Sequence, residues 1–176
     1  MEEVELVDYC QAGNSSAQRT LYKKYVNKMY HTCIRYLPDQ MEAEDVVTEG
    51  FVKVFRKIYT FEYRGKGSLE GWIKRIMINE SLMALRKKRH VHVDIEGFIN
   101  IESGLLTDSQ LDYREILKVI YSLPKGYRTV FNLYVIEGFS HNEIASKLSI
   151  SENTSKSQLS KARASLLKKL KHNGIL

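Results

Sequence analysis

Proline is scarce, 2 in 176 residues, so long helices are permitted almost throughout. Short alternating apolar runs punctuated by Gly or Asn are missing, which argues against an all-β chain. Cysteine is equally rare. Cys10 and Cys33 form neither a C-x-x-C pair nor a disulfide framework, and each is expected as a small buried apolar residue in a reducing compartment. No apolar run approaches the roughly 20 residues that cross a bilayer, and the acidic start Met1-Glu2-Glu3-Val4-Glu5 is not a signal peptide. The expectation is a cytoplasmic protein without membrane insertion. No nucleophile–base pair and no phosphate-cradling Gly-rich loop stands out, so neither enzyme chemistry nor a cofactor is expected.

What is present is charge, unevenly placed. The formal net charge is +6. Residues 1–50 hold 5 Lys/Arg against 9 Asp/Glu, and residues 51–100 hold 11 against 5. Residues 101–150 hold 5 against 6, and residues 151–176 hold 6 against 1. Two basic blocks separated by a near-neutral one suit a polyanion touched at two places.

Apolar residues recur at three and four, the period of an amphipathic helix. The expectation is an all-α protein of two small helical domains: residues 1–89, a linker over 90–107, and residues 108–176. A short helix over 4–12 should end at Gly13. A long one over 16–37 should be capped by Ser15 or Ser16 and stop before Pro38-Asp39. A third, over 41–58, has acids in its first turns and Lys53, Arg56 and Lys57 in its last, as the helix dipole favours. Tyr59 to Gly67 form a loop mixing aromatics and cations. Ser68 should cap a helix over 69–88 with Leu69, Trp72, Ile73, Ile76, Leu82 and Leu85 inward; by helical phase Trp72 belongs to the core. Asn79 either closes a local hydrogen-bond network or reads DNA. Beyond the linker, helices are expected over 109–122 and over 124–136, the latter with Val130, Phe131, Tyr134 and Val135 inward.

Ser140 and Glu143 have capping-box spacing and start a short helix carrying Ile144, Ala145 and Leu148. After the tight connection Ser149-Ile150-Ser151, a basic helix runs over 152–171. This is the pattern of a helix-turn-helix. Leu159, Ala162, Leu166 and Leu170 mark the core side, while Asn153, Lys156, Ser157, Ser160 and Lys161 share another face. Small hydroxyls beside Lys and Asn can reach base edges and phosphates. An ordinary amphipathic helix with a solvated basic face would give the same spacing.

Context separates these readings. Ser122-Leu123-Pro124, Tyr127-Arg128, Gly138-Phe139-Ser140, Glu143-Ile144-Ala145 and Lys156-Ser157-Gln158-Leu159-Ser160-Lys161-Ala162-Arg163 together resemble region four of extracytoplasmic-function (ECF) sigma factors. Glu42-Ala43-Glu44-Asp45-Val46-Val47-Thr48-Glu49-Gly50-Phe51 resembles their polymerase-binding helix in region two. Gly67-Ser68-Leu69-Glu70-Gly71-Trp72-Ile73, with Asn79 and Leu85-Arg86-Lys87-Lys88, resembles the promoter-melting part of that region. The blocks occur in family order. The chain departs from the family pattern at Thr48, at Asn153-Thr154-Ser155 and at Gln158.

The resemblance implies a bacterial transcription initiation factor whose partners are core RNA polymerase, promoter DNA in duplex and melted form, and an anti-sigma factor. It implies polymerase contacts from Glu44, Asp45, Thr48 and Glu49. It implies minus-ten contacts from Tyr63, Arg64, Lys66, Arg75, Asn79, Arg86 and Lys87, with the loop holding a base flipped from the opened strand. It implies minus-thirty-five contacts from Asn153, Thr154, Lys156, Ser157, Ser160 and Lys161. The linker could reach about 60 Å at roughly 3.3 Å per residue, enough for two promoter elements. A helix-turn-helix regulator acting without polymerase is the alternative, but it leaves Glu44, Asp45 and the 59–67 loop without a role. His90-Val91-His92-Val93-Asp94 resembles the opening of a metallo-hydrolase motif, but Ile95 stands where a further His is needed.

Overall fold

A computed structural model describes the backbone of residues 2–87 and 108–172, and the side chains of all of these except 108–114. The His90–Asp94 motif and the 90–107 linker lie outside the described residues. The described residues are helical, without a strand. The chain divides into two compact units, Met1–Ile101 and Glu102–Leu176.

The first unit holds α1 (Glu3–Gln11), α2 (Ser15–Ile34), α3 (Gln40–Lys57), a 3-10 turn (Ile58–Thr60) and α4 (Ser68–Lys87). Helix α2 starts on Asn14, whose side chain accepts from the Ala17 N–H at 3.0 Å; the expected serine caps are already helical. It ends at Ile34, earlier than expected, because Tyr36 and Leu37 turn inward and are buried. Asp39 starts α3 by accepting from the Glu42 N–H at 3.0 Å.

Helices α2, α3 and α4 pack around Leu21, Met29, Val54, Leu69, Ile73 and Met77, all fully buried. Gly50 allows α3 to approach α4, since a Cβ there would run into the Met77 sulfur. Cys10 and Cys33 are buried free thiols, and burial pushes the Cys33 thiol up to about 11.

Between the 3-10 turn and α4 the chain makes a tight loop with Gly65 and Gly67 at φ +108° and +87°, values that a side chain disfavours. Ser68 is the first residue of α4, not its cap. Its hydroxyl donates to the Gly65 carbonyl at 2.7 Å and accepts from the Arg64 N–H at 3.2 Å, so it ties the loop to itself. Helix α1 holds the loop from the other side. Gln11 Nε2 donates to the Ile58 and Phe61 carbonyls at 3.0 and 2.8 Å, and Glu3 Oε2 accepts from the Gly67 N–H at 2.9 Å.

The second unit holds α5 (Asp108–Tyr121), α6 (Lys125–Phe131, continued by a π-helical turn over Asn132–Ile136), α7 (His141–Leu148) and α8 (Glu152–His172). Val119, Leu123, Ala162 and Leu166 form the core of this unit, with Tyr127, Phe131 and Leu170 packed against them. One regular helix was expected over 124–136. The π turn, closed by Glu137 N–H to the Asn132 carbonyl at 3.0 Å, widens its last turn. That rotation explains why Val135, expected inward, is 47% exposed, while Asn132 and Leu133 are fully buried. Helix α7 opens on the full Ser140/Glu143 capping box. It closes on Ser149 at φ +54°, the left-handed conformation that ends many helices.

Candidate nucleic-acid interface

In α3 the buried positions are Ala43, Val46, Val47, Gly50, Phe51 and Val54. This periodicity leaves Glu44, Asp45, Thr48 and Glu49 together on the exposed face. Thr48 turns its hydroxyl back to the Glu44 carbonyl at 3.0 Å, and Glu44 accepts from Gln40 at 3.1 Å, so Asp45 and Glu49 are its outward-reaching charges. With Glu42, Lys53, Glu80 and Lys87, those two line a groove of about 250 Å³ between α3 and α4. Lys87, expected at the minus-ten element, stands at this acidic groove.

Glu80 was not among the expected site residues. It is buried and ion-pairs with Lys53. Its place beside Met77 and Ser81 on the inward face of α4 was legible from helical phase.

The 59–67 loop keeps Tyr59, Tyr63, Arg64 and Lys66 exposed, but buries Phe61 against Trp72 with ring centroids 5.0 Å apart. Trp72 is only half-buried, which corrects its expected core position. Together with Phe61, Glu62, Arg64, Ser68 and Arg75 it lines a cleft of about 520 Å³. An aromatic surface flanked by two guanidinium groups is the chemistry that holds an unpaired base and its phosphate. Arg75, Asn79 and Arg86, spaced four and seven apart, share one exposed face of α4. Asn79 is on this exposed side, not among the buried residues of the helix.

In the second unit, α7 and α8 are locked together. His141 Nδ1 shares a 2.8 Å hydrogen bond with the buried Ser155 hydroxyl, and its ring stacks on Tyr134 at 4.4 Å. Asn142 donates to Glu152 at 3.0 Å. Ser151 caps α8 by accepting from the Thr154 N–H at 3.0 Å, and its hydroxyl meets that of Thr154 at 2.8 Å. Thr154 is therefore half-buried in the cap. Asn153, Lys156, Ser157, Ser160 and Lys161 are all exposed at the start of α8. Lys156 has a loose ion pair with Glu152 at 3.7 Å. Ser157 donates to the Thr154 carbonyl at 3.0 Å, which leaves its oxygen able to accept from outside. The Gln158 amide lies against Gly126 of α6 and is half-buried, so this departure from the family pattern sits on the packing side of α8.

The family model for Sigma-70 region 2 matches residues 21–91, and that for Sigma-70 region 4 matches residues 113–166. The chain belongs to the ECF group of sigma-70 factors. RNA polymerase sigma-H factor of Pseudomonas aeruginosa is 28% identical, with 96% of this chain and 94% of that protein covered. ECF RNA polymerase sigma factor SigW of Bacillus subtilis is also 28% identical, with 90% and 91% covered. Among solved structures, RpoE in complex with the anti-sigma factor NepR from Bartonella quintana has a TM-score of 0.58 at 27% identity, covering 87% of this chain and 96% of that one. CnrH, solved in complex with the cytosolic domain of CnrY, shares the fold with a TM-score of 0.54 at 21% identity, covering 95% and 96%.

A sigma factor is a transcription initiation factor that binds core RNA polymerase and promoter DNA; it is not an enzyme. No helix among the described residues is long and apolar enough to cross a membrane, and none of their His, Cys, Asp and Glu side chains cluster as a metal site.

Proposed function

We propose that this sigma factor directs promoter-specific initiation in the cytoplasm through three surfaces divided between two domains. Residues 1–89 bind polymerase and open the minus-ten element, residues 90–107 supply reach, and residues 108–176 read the minus-thirty-five element. The acidic face of α3, centred on Asp45 and Glu49, docks on a basic element of the polymerase; an exposed carboxylate cluster in a DNA-binding protein needs a partner other than DNA. Helix α8 enters the major groove with Asn153, Lys156, Ser157, Ser160 and Lys161 leading.

The observation that carries the reading is the cleft where Phe61 and Trp72 meet Arg64 and Arg75. A duplex reader needs no such cleft. A base flipped out of the opened strand can stack there while the guanidinium groups hold its phosphates, and this capture offsets the cost of strand separation without ATP. An anti-sigma protein that holds the factor inactive is a further partner; the similar sigma factor RpoE of Bartonella quintana is in complex with the anti-sigma factor NepR.

Run-off transcription on genomic fragments tests the reading. Core polymerase should give specific transcripts only when the factor is added, and Trp72→Ala should lose opening on a duplex promoter. A factor that binds its operator tightly alone, with polymerase adding nothing, would establish an ordinary repressor or activator in place of this reading.

A further inference from the structure

Past the 3-10 turn at Ile58–Thr60 the cleft loop has no regular structure of its own, yet a base-capturing surface must be held in one geometry before the base arrives. Part of what holds it comes from α1, which lines no part of the cleft. Gln11, at the last position of α1, uses both protons of its amide nitrogen on the carbonyls that begin the loop, Ile58 and Phe61. Glu3, at the first position, spans the other end: one carboxylate oxygen accepts from the Gly67 N–H, and the other accepts from the Tyr25 hydroxyl of α2 at 3.3 Å. Burial, and then the Glu3 charge, push the Tyr25 phenol well above its ordinary value, so it remains a donor. The two side chains lie at opposite ends of one nine-residue helix and grip opposite ends of one loop. The Glu3 charge also sits where α4 begins, which the helix dipole favours.

We propose that α1 is a brace for strand capture: Glu3 and Gln11 are positioning residues that hold the 58–67 loop in its base-accepting form. The proposal rests on the base-capture reading above. Phe61 is the link between the two. Its carbonyl is held by Gln11 while its ring supports Trp72, so slack at Gln11 reaches the stacking surface through a single residue.

The test uses holoenzyme assembled from core polymerase and the full chain. A promoter is first selected from a randomised duplex library with wild-type holoenzyme, and a labelled single strand spanning its melted segment is the probe. Glu3→Ala and Gln11→Ala should each weaken single-strand binding, and together by about tenfold, since the loop must then be ordered at the moment of binding. Core affinity and the thermal midpoint of the first unit should stay near wild type. Glu3→Gln keeps an oxygen acceptor for Gly67 and should restore most of the loss.

If Glu3 acted only as a negative charge near DNA, both Glu3→Ala and Glu3→Gln would bind more tightly, and the brace would be refuted. Trp72→Ala and Arg75→Ala serve as comparators. If they lose binding while the α1 variants do not, the brace alone is overturned. If both sets bind normally, base capture itself is wrong and the brace goes with it.

Discussion

Replacing Lys53 should destabilise the first unit more than neutralising its partner Glu80, although the two make one ion pair. The side chain of Glu80 is 8% exposed and that of Lys53 is 40% exposed. Lys53→Met keeps most of the methylene stem and removes the charge, leaving a carboxylate with little access to water. Glu80→Gln leaves an ammonium that can turn into solvent from the groove edge. Removing one partner of a fully buried pair costs about 3–5 kcal/mol. Since Lys53 is partly solvated, about 2 kcal/mol is expected for Lys53→Met, and under about 1 kcal/mol for Glu80→Gln. Trp72 is the only tryptophan in the chain and lies in α4, so its fluorescence during urea unfolding follows this unit alone. Equal losses for the two variants, or a larger loss for Glu80→Gln, would refute the argument from unequal burial.

The remaining predictions concern the other surfaces. Asp45→Lys with Glu49→Lys should weaken core polymerase binding in a titration, more so at low salt, while leaving thermal unfolding unchanged, because both side chains are exposed. Lys156→Ala and Lys161→Ala should each lower the slope of promoter affinity against salt by about one phosphate contact, whereas Ser157→Ala should alter sequence preference in a selection experiment. Ser149→Gly should stabilise the second unit by about 0.5–1 kcal/mol in thermal unfolding, since glycine accepts the left-handed φ without a Cβ clash. Cys33 should resist alkylation in the native protein at neutral pH. Its folded thiol titrates near 11 against an ordinary value of 9.0, so folding stability should fall as pH rises between these values, and Cys33→Ala should flatten that part of the pH profile.

The elements legible in sequence were those set by periodicity and punctuation. The apolar positions of α3 and α8 fix which side faces the core, and so place Asp45, Glu49, Lys156 and Lys161 outside on periodicity alone. The Ser140/Glu143 box fixed the start of α7 because both of its hydrogen bonds are local. What sequence did not reveal depends on contacts between distant residues. Nothing in the spacing of Glu3 or Gln11 points to a loop some fifty or more positions away. Phe61 and Trp72 looked like one loop aromatic and one core residue, and only the turn between α3 and α4 brings their rings into contact, tilted at 43°. The π turn escaped as well, because Asn132–Ile136 carries no residue that a regular helix would reject.

That turn gives the second unit a spare residue. An α-helix from Lys125 to Ile136 would close the same rise with one position fewer, and the surplus is stored as a bulge in an otherwise regular rod. Its size sets the angle at which the chain leaves α6, because Phe139 N–H is pinned to the Leu133 carbonyl at 2.9 Å just before α7 begins. Removing one residue between 134 and 136 would iron the bulge out. Because the bulge absorbs that residue within the same rise, the deletion would leave the buried Val130 and Leu133, and the chain that follows, in nearly the same register. The bulge is thus slack stored in covalent length: a single-codon deletion would be taken up there, where the same deletion in a regular helix would turn everything after it by about 100°.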